Sequence, residues 1–297
     1  MKTMKEREIK GIYALVTGVF LIFLLVPILL LLGKSFEYQG GIALSHYADV
    51  LTGKGFARSA AVASLSAVVT TVLAFILSYT IHYTNVPGGL KGFIRLAAVI
   101  PMLLPTITYG FAIIYSFGKQ GLLTRLLGRQ LFDIYGFWGL LLGYVIYTLP
   151  VSFLLIFNSM GFIDKKFMIV SRIMGDSPFS TFLGTVIRPL LGTLAASFVQ
   201  CFFLCFTDYG IPASVGGRYD VVASVLYNEM LGSVPDFNRG AVVAMSMLVP
   251  SVVSISLLHY LERYNIRYSR ISNTEIRRGR FRDVSCGAAS CAILASV

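Results

Sequence analysis

Charge is what this sequence has least of. Only 13% of its 297 residues are charged, while 56% are hydrophobic and the mean hydropathy is +0.76. Soluble domains carry about 25% charged residues, and half that share cannot cover a globule of this length with polar surface. A disordered chain is excluded and an ordinary water-soluble enzyme does not fit; the composition points to lipid as the main solvent. Cysteine is scarce too. Cys201, Cys205, Cys286 and Cys291 form no C-x-x-C pair and have no histidine cluster beside them. Cys201 and Cys205, four apart, fall on one helix face as small apolar packing residues. His46, His82 and His259 are scattered over a loop and two helix ends, where interfacial or solvated imidazoles are expected. There is no G-x-x-x-x-G-K-[ST], H-E-x-x-H or G-x-S-x-G, so no nucleotide hydrolysis, metal site or cofactor is expected in this chain.

What the sequence has is long runs without charge. Six segments, about 12–33, 60–83, 96–117, 137–158, 189–207 and 240–260, each approach the roughly 20 apolar residues needed to cross a hydrocarbon core. In lipid they must be helices, which satisfy their own backbone groups. The expected fold is therefore all-α, a polytopic membrane protein of six transmembrane helices. The first run exceeds a signal-peptide core and has no small-x-small cleavage site after it, which makes it a retained helix.

The 14 acidic and 25 basic residues give a formal net charge of +11. With the N-terminus inside, 17 of the 25 basic residues lie in inner segments and the acids divide evenly. This is the asymmetry of the positive-inside rule, and it accounts for the charge by topology rather than by nucleic-acid binding. The spans hold almost no ionisable residues, which counts against an ion-coupled secondary transporter. Small residues from Ala60 to Ala67 let the second span approach its neighbours closely. Gly139 and Gly143 form one small-xxx-small pair. Pro101, Pro105, Pro150 and Pro250 are bend points that either line a pathway or merely shape the bundle.

Between spans four and five, residues 164–188 are too polar to cross and too apolar for a plain linker. Phe167, Met168, Val170, Ile173 and Met174 recur at helical spacing among Lys165, Lys166, Arg172 and Asp176. This predicts an amphipathic helix, then a turn at Ser177-Pro178. A second short helix follows from Phe179, capped by Asp176 or Ser177 with Pro178 at its first position. Such an element either lies on the membrane surface or docks a cytoplasmic partner.

This loop resembles the cytoplasmic EAA loop of permease subunits in type I (MetI-like) binding-protein-dependent ABC importers. Gly175 matches the family's glycine, Arg172 the basic residue before it, Ser177-Pro178-Phe179 the small-Pro-aromatic turn and Pro189 the proline entering the next span. Two departures stand out. Ile169-Val170-Ser171 replace Glu-Ala-Ala, and the gap from Gly175 to Pro189 is one residue longer. The resemblance covers roughly residues 12–265. It implies a pathway built from two six-helix units, a separate ATP-binding subunit docked on each loop, and an extracytoplasmic solute-binding protein. It also implies multi-pass insertion in a bacterial-type inner membrane. By that resemblance Arg172, Gly175, Asp176, Ser177, Pro178 and Phe179 couple to the ATPase.

The segment Thr207-Asp208-Tyr209-Gly210-Ile211-Pro212 and its continuation to Arg218 is similar to the external loop of iron(III) and 2-aminoethylphosphonate permeases. Sulfate, thiamine and polyamine permeases share the plan. Asp208, Tyr209 and Arg218 are the candidate pathway or external-loop residues. Asp208 either meets a cationic solute or caps a helix end; Arg218 either holds an anion or touches the binding protein. Residues 1–265 form the expected permease domain and 266–283 a basic cytoplasmic segment. The uncharged stretch 284–297, after its basic flank, resembles the approach to a seventh span of a fused double permease; a membrane-associated tail is the alternative. Two other functions fit the bare span count, a secondary transporter or channel and a membrane scaffold.

Overall fold

The long uncharged runs become long helices. The computed structural model describes residues 2–38, 41–42, 45–262 and 279–296; the expected basic segment 266–283 therefore lies mostly outside the described residues. In chain order the helices are α1 (Lys2–Phe36), α2 (Ser45–Leu51), α3 (Lys54–Tyr83), α4 (Gly88–Val99), α5 (Thr106–Phe117), α6 (Leu122–Leu127) and α7 (Phe137–Gly161). They continue with α8 (Lys166–Ile173), α9 (Pro178–Phe182), α10 (Arg188–Thr207), α11 (Gly210–Val215), α12 (Val222–Leu231), α13 (Phe237–Glu262) and α14 (Arg280–Ser296). Two-residue strands, Glu37–Tyr38 and Gly41–Ile42, pair antiparallel. The chain divides into two compact units, residues 1–53 with 225–249 and residues 54–224 with 250–297.

Among the described residues, five helical stretches are long and apolar enough to cross a membrane: Ile9–Phe36, Tyr47–Tyr83, Phe137–Gly161, Pro178–Thr207 and Phe237–Leu261. The expected third span, 96–117, is not one helix. Its residues divide between Gly88–Leu103 and Thr106–Leu127, which meet at an angle of 111°. Two prolines cause the break. Pro101 lies in a tight 3₁₀ turn, Ile100–Leu103, and Pro105 drives Leu104 into extended backbone at φ −101°, ψ 144°. If that bent pair is one broken span, the total is six.

The larger unit is built on α3, α7 and α10, which pack against one another. Hydroxyls line their contact. Thr70 and Thr148 meet at 3.0 Å, Ser152 and Ser197 at 2.5 Å, and Thr71 and Ser197 at 3.4 Å. The buried Cys201 thiol donates to the Thr148 carbonyl at 3.9 Å, and Cys205 is buried on the same face. Below this seam lies an apolar core that includes Leu77, Leu149, Phe153, Ile156, Met160, Val186 and Leu190. His82, expected to be interfacial or solvated, is half-buried near the end of α3. Its Nε2 lies 3.1 Å from the Phe157 carbonyl, and its ring stands 4.6 Å from that of Phe157, so it joins α3 to α7.

Removing a hydroxyl from the seam tests its worth. Interhelical side-chain hydrogen bonds in membranes average about 0.6 kcal/mol. Ser197→Ala is expected to lower stability by about that amount, and Ser197→Leu by more, since Ser197 is fully buried. Thermal unfolding in detergent measures both; equal melting temperatures for the two variants would show that the close approach at Ser197 is unimportant.

Candidate functional site

The segment after α7 folds by local rules. The Asp164 carboxylate accepts the Lys166 N–H at 2.9 Å and starts α8. Gly175 stops it, with φ at +86°. The Gly175 N–H reaches the Arg172 carbonyl and the Asp176 N–H reaches the Ser171 carbonyl, both at 3.1 Å. That pair of bonds is a Schellman C-cap, which needs a left-handed residue at this position. A Cβ on Gly175 would meet nothing within 4 Å, so backbone conformation alone favours glycine here.

Ser177 then opens α9. Its Oγ accepts the Ser180 N–H at 3.2 Å and Pro178 occupies the first helical position. Asp176, the other expected cap, does something else: it accepts the Ser171 hydroxyl at 2.5 Å. Ser171 also lies 3.1 Å from the hydroxyl of Thr181, which is buried. These three polar residues tie α8 to α9. Met168 and Phe182 anchor the pair on the apolar core. The tip faces outward, with Ile173 and Met174 each 79% exposed and Phe179 72% exposed. Arg172 is also exposed.

α9 does not end in a loop. It continues through a wide π-helical stretch, Leu183–Ile187, directly into α10. Pro189 explains the widening, since a proline ring crowds the carbonyl one turn earlier and a π-bulge makes room. The α8–α9 tip is thus the end of the same rod that carries the hydroxyl seam.

The other candidate residues lie at the opposite end of α10. There the helix stops, and Asp208 adopts extended backbone at φ −71°, ψ 138°. Its carboxylate accepts the Ile211 N–H at 2.9 Å, the helix-capping alternative, and Thr106 and the Gly210 N–H also bond to it. Tyr209 is 37% exposed and Arg218 is exposed. α11 packs tightly on α5. A Cβ at Gly210 would fall 2.1 Å from Thr106 Oγ1, and one at Gly110 would fall 1.6 Å from Ser214 Oγ. Gly143 of α7 admits Ile211 in the same way. The structure therefore gathers Arg172–Phe179 in one place and Asp208–Arg218 in another, with α10 between them. Among the described residues, no three His, Cys, Asp or Glu side chains come together to hold a metal.

No family model matches the chain. It is 24% identical over 225 residues to the ferric transport system permease protein FbpB of Actinobacillus pleuropneumoniae, covering 74% of this chain and 32% of that one. It is 23% identical over 249 residues to the spermidine/putrescine transport system permease protein PotC of Escherichia coli K12, covering 80% and 89%. The bacterial alginate ABC transporter, solved in complex with an alginate-pentasaccharide-bound periplasmic protein, superposes with a TM-score of 0.65 at 13% identity, covering 90% of this chain and 96% of that one. The fold is that of an ABC-importer permease. The curated relatives it matches are permease proteins of ferric and spermidine/putrescine transport systems. The chain spans about a third of the length of the ferric relatives it matches. Permease homology and the five or six candidate spans together make it a multi-pass membrane protein.

Sequence pattern found the helix, cap and turn of the 164–188 loop but missed Ser171, Thr181 and Asp164. A hydroxyl ten residues from another has no helical or strand periodicity to mark it. The left-handed turn at Gly175 can be tested directly. A non-glycine residue there costs roughly 1–2 kcal/mol, and asparagine less. Gly175→Val is expected to speed tryptic cleavage at Lys165, Lys166 and Arg172 in membranes, with Gly175→Asn closer to wild type. Equal cleavage of the two variants would show that φ is not the constraint.

Proposed function

We propose that this chain is a permease unit of an ATP-driven solute importer. It forms part of the solute pathway, and a separate cytoplasmic ATP-binding subunit docks on α8–α9. The observation that carries this reading is an exposed apolar tip on a polar-tied base, continuous with a membrane-length helix. Ile173, Met174 and Phe179 are the docking contacts. Gly175, Asp176, Ser177 and Pro178 set the shape of the tip, and Arg172 supplies charge beside it. The remaining partners are an extracytoplasmic solute-binding protein and a second permease unit, present as a homodimer, a heterodimer or a fused half. The N-terminus lies in the cytoplasm, and the protein sits in a bacterial-type inner membrane.

We rank iron(III) or phosphonate-type solutes first and polyamine or sulfate second; the similarity to ferric, sulfate and polyamine permeases supports iron(III), sulfate and polyamine, and the phosphonate alternative rests on the resemblance of the 207–218 segment. Asp208 shapes the pathway wall by capping α11, and Tyr209 and Arg218 present exposed side chains to solute or binding protein.

Charge placed on the tip tests the docking. Met174→Lys and Phe179→Lys are expected to insert normally in the membrane yet to lose co-purification with the ATP-binding subunit and binding-protein-stimulated ATP hydrolysis. Uptake that persists without the ATP-binding subunit would favour a secondary transporter or channel. An intact complex with no solute uptake under any condition would favour a scaffold.

A further inference from the structure

Helix α14 has no part in the function proposed above, yet it is seated in detail. Its contact face is small. Gly287 lies against Val86 and Leu90, and a Cβ there would come 3.2 Å from Val86 Cγ1. The buried Ser290 donates to the Thr80 hydroxyl at 2.7 Å, and that hydroxyl lies 3.2 Å from the Cys286 carbonyl. The Asp283 carboxylate accepts the Asn85 N–H at 3.2 Å and the Arg282 guanidinium at 3.1 Å. Ile293 is buried in the same apolar core as Leu77 and Ile156, and Leu294 packs against it.

The seat covers the end of α3 that also receives α9. Tyr79, next to the Thr80 that α14 binds, lies at this end. Its ring stacks on Tyr83 at 5.2 Å and on Phe75 at 6.0 Å, and meets Phe182 of α9 edge-on at 5.7 Å. Met168 of α8 and Phe182 of α9 pack on the same apolar core as Ile293 and Leu294 of α14.

We propose that α14 is a brace for the α8–α9 tip: seated on α3 and α4, it closes the apolar core on which Met168 and Phe182 rest and so fixes where the tip stands. The brace acts within this chain and needs no partner; its consequence for transport rests on the docking function proposed above.

Hydrogen exchange of the full chain in lipid nanodiscs, without any partner, tests it. Gly287→Leu forces a large side chain into the contact with Val86; Ala288→Leu, on the exposed side of α14, is the control. Gly287→Leu, and more so Gly287→Leu with Ser290→Leu, is expected to speed exchange in residues 166–182 by about tenfold, the scale of one lost packing contact. Ala288→Leu should leave residues 166–182 at wild-type rates. Tyr79→Leu should loosen 166–182 as Gly287→Leu does, and Tyr79→Phe, which keeps the ring on Phe182, should retain most of the protection. Wild-type exchange at 166–182 in both Gly287 variants overturns the brace. Co-purification with the ATP-binding subunit reports separately on docking, so a brace without docking and docking without a brace give different results.

Discussion

Everything at the two candidate regions depends on the helix that enters at Pro178 and runs unbroken to Thr207. At 1.5 Å per residue its thirty residues reach roughly 45 Å. A proline near the middle of such a rod would ordinarily kink it. Here the π-helical stretch Leu183–Ile187 absorbs Pro189 and the rod stays continuous. A displacement of Phe179 is therefore a displacement of α10, because there is no loop between them to take it up. Under the proposed function this continuity is the transmission.

The rod is held by contacts suited to lipid. Apolar side chains gain little by leaving one hydrocarbon environment for another, so directional contacts and close approach must hold the helices. The α3–α7–α10 seam supplies both, with hydroxyl pairs at Thr70–Thr148 and Ser152–Ser197. Each is worth little alone. Together they fix the register of three helices along one line, and they leave α10 able to move only with its neighbours or past them in discrete steps.

Much of this was legible in the sequence. Uncharged length marked five membrane-length helices, and the Gly175–Pro178 punctuation marked a stop, a cap and a start that all appear in the structure. Where the reading failed, a local rule was hidden by an apolar run. Residues 96–117 are apolar enough to span, but hydropathy takes no account of Pro101 and Pro105, which bend the backbone. Asp208 could not be assigned from sequence, because a capping carboxylate and a solute-binding carboxylate look alike until their partners are known. Ser171 and Thr181 were invisible for the same reason, since their value lies in a contact between two elements and not in a spacing along one.

The packing of α11 on α5 carries a mechanical consequence. Gly210 meets Thr106 and Ser214 meets Gly110, so both helices advance four residues between contacts and run parallel. With so little space between their backbones they can shift only as one block. The rod of α10 ends two residues short of that block, with Asp208 and Tyr209 between them. Asp208 is bonded to the block through the Ile211 N–H, so under the proposed function a movement of the α10 shaft is passed to the wall through a short, clamped link.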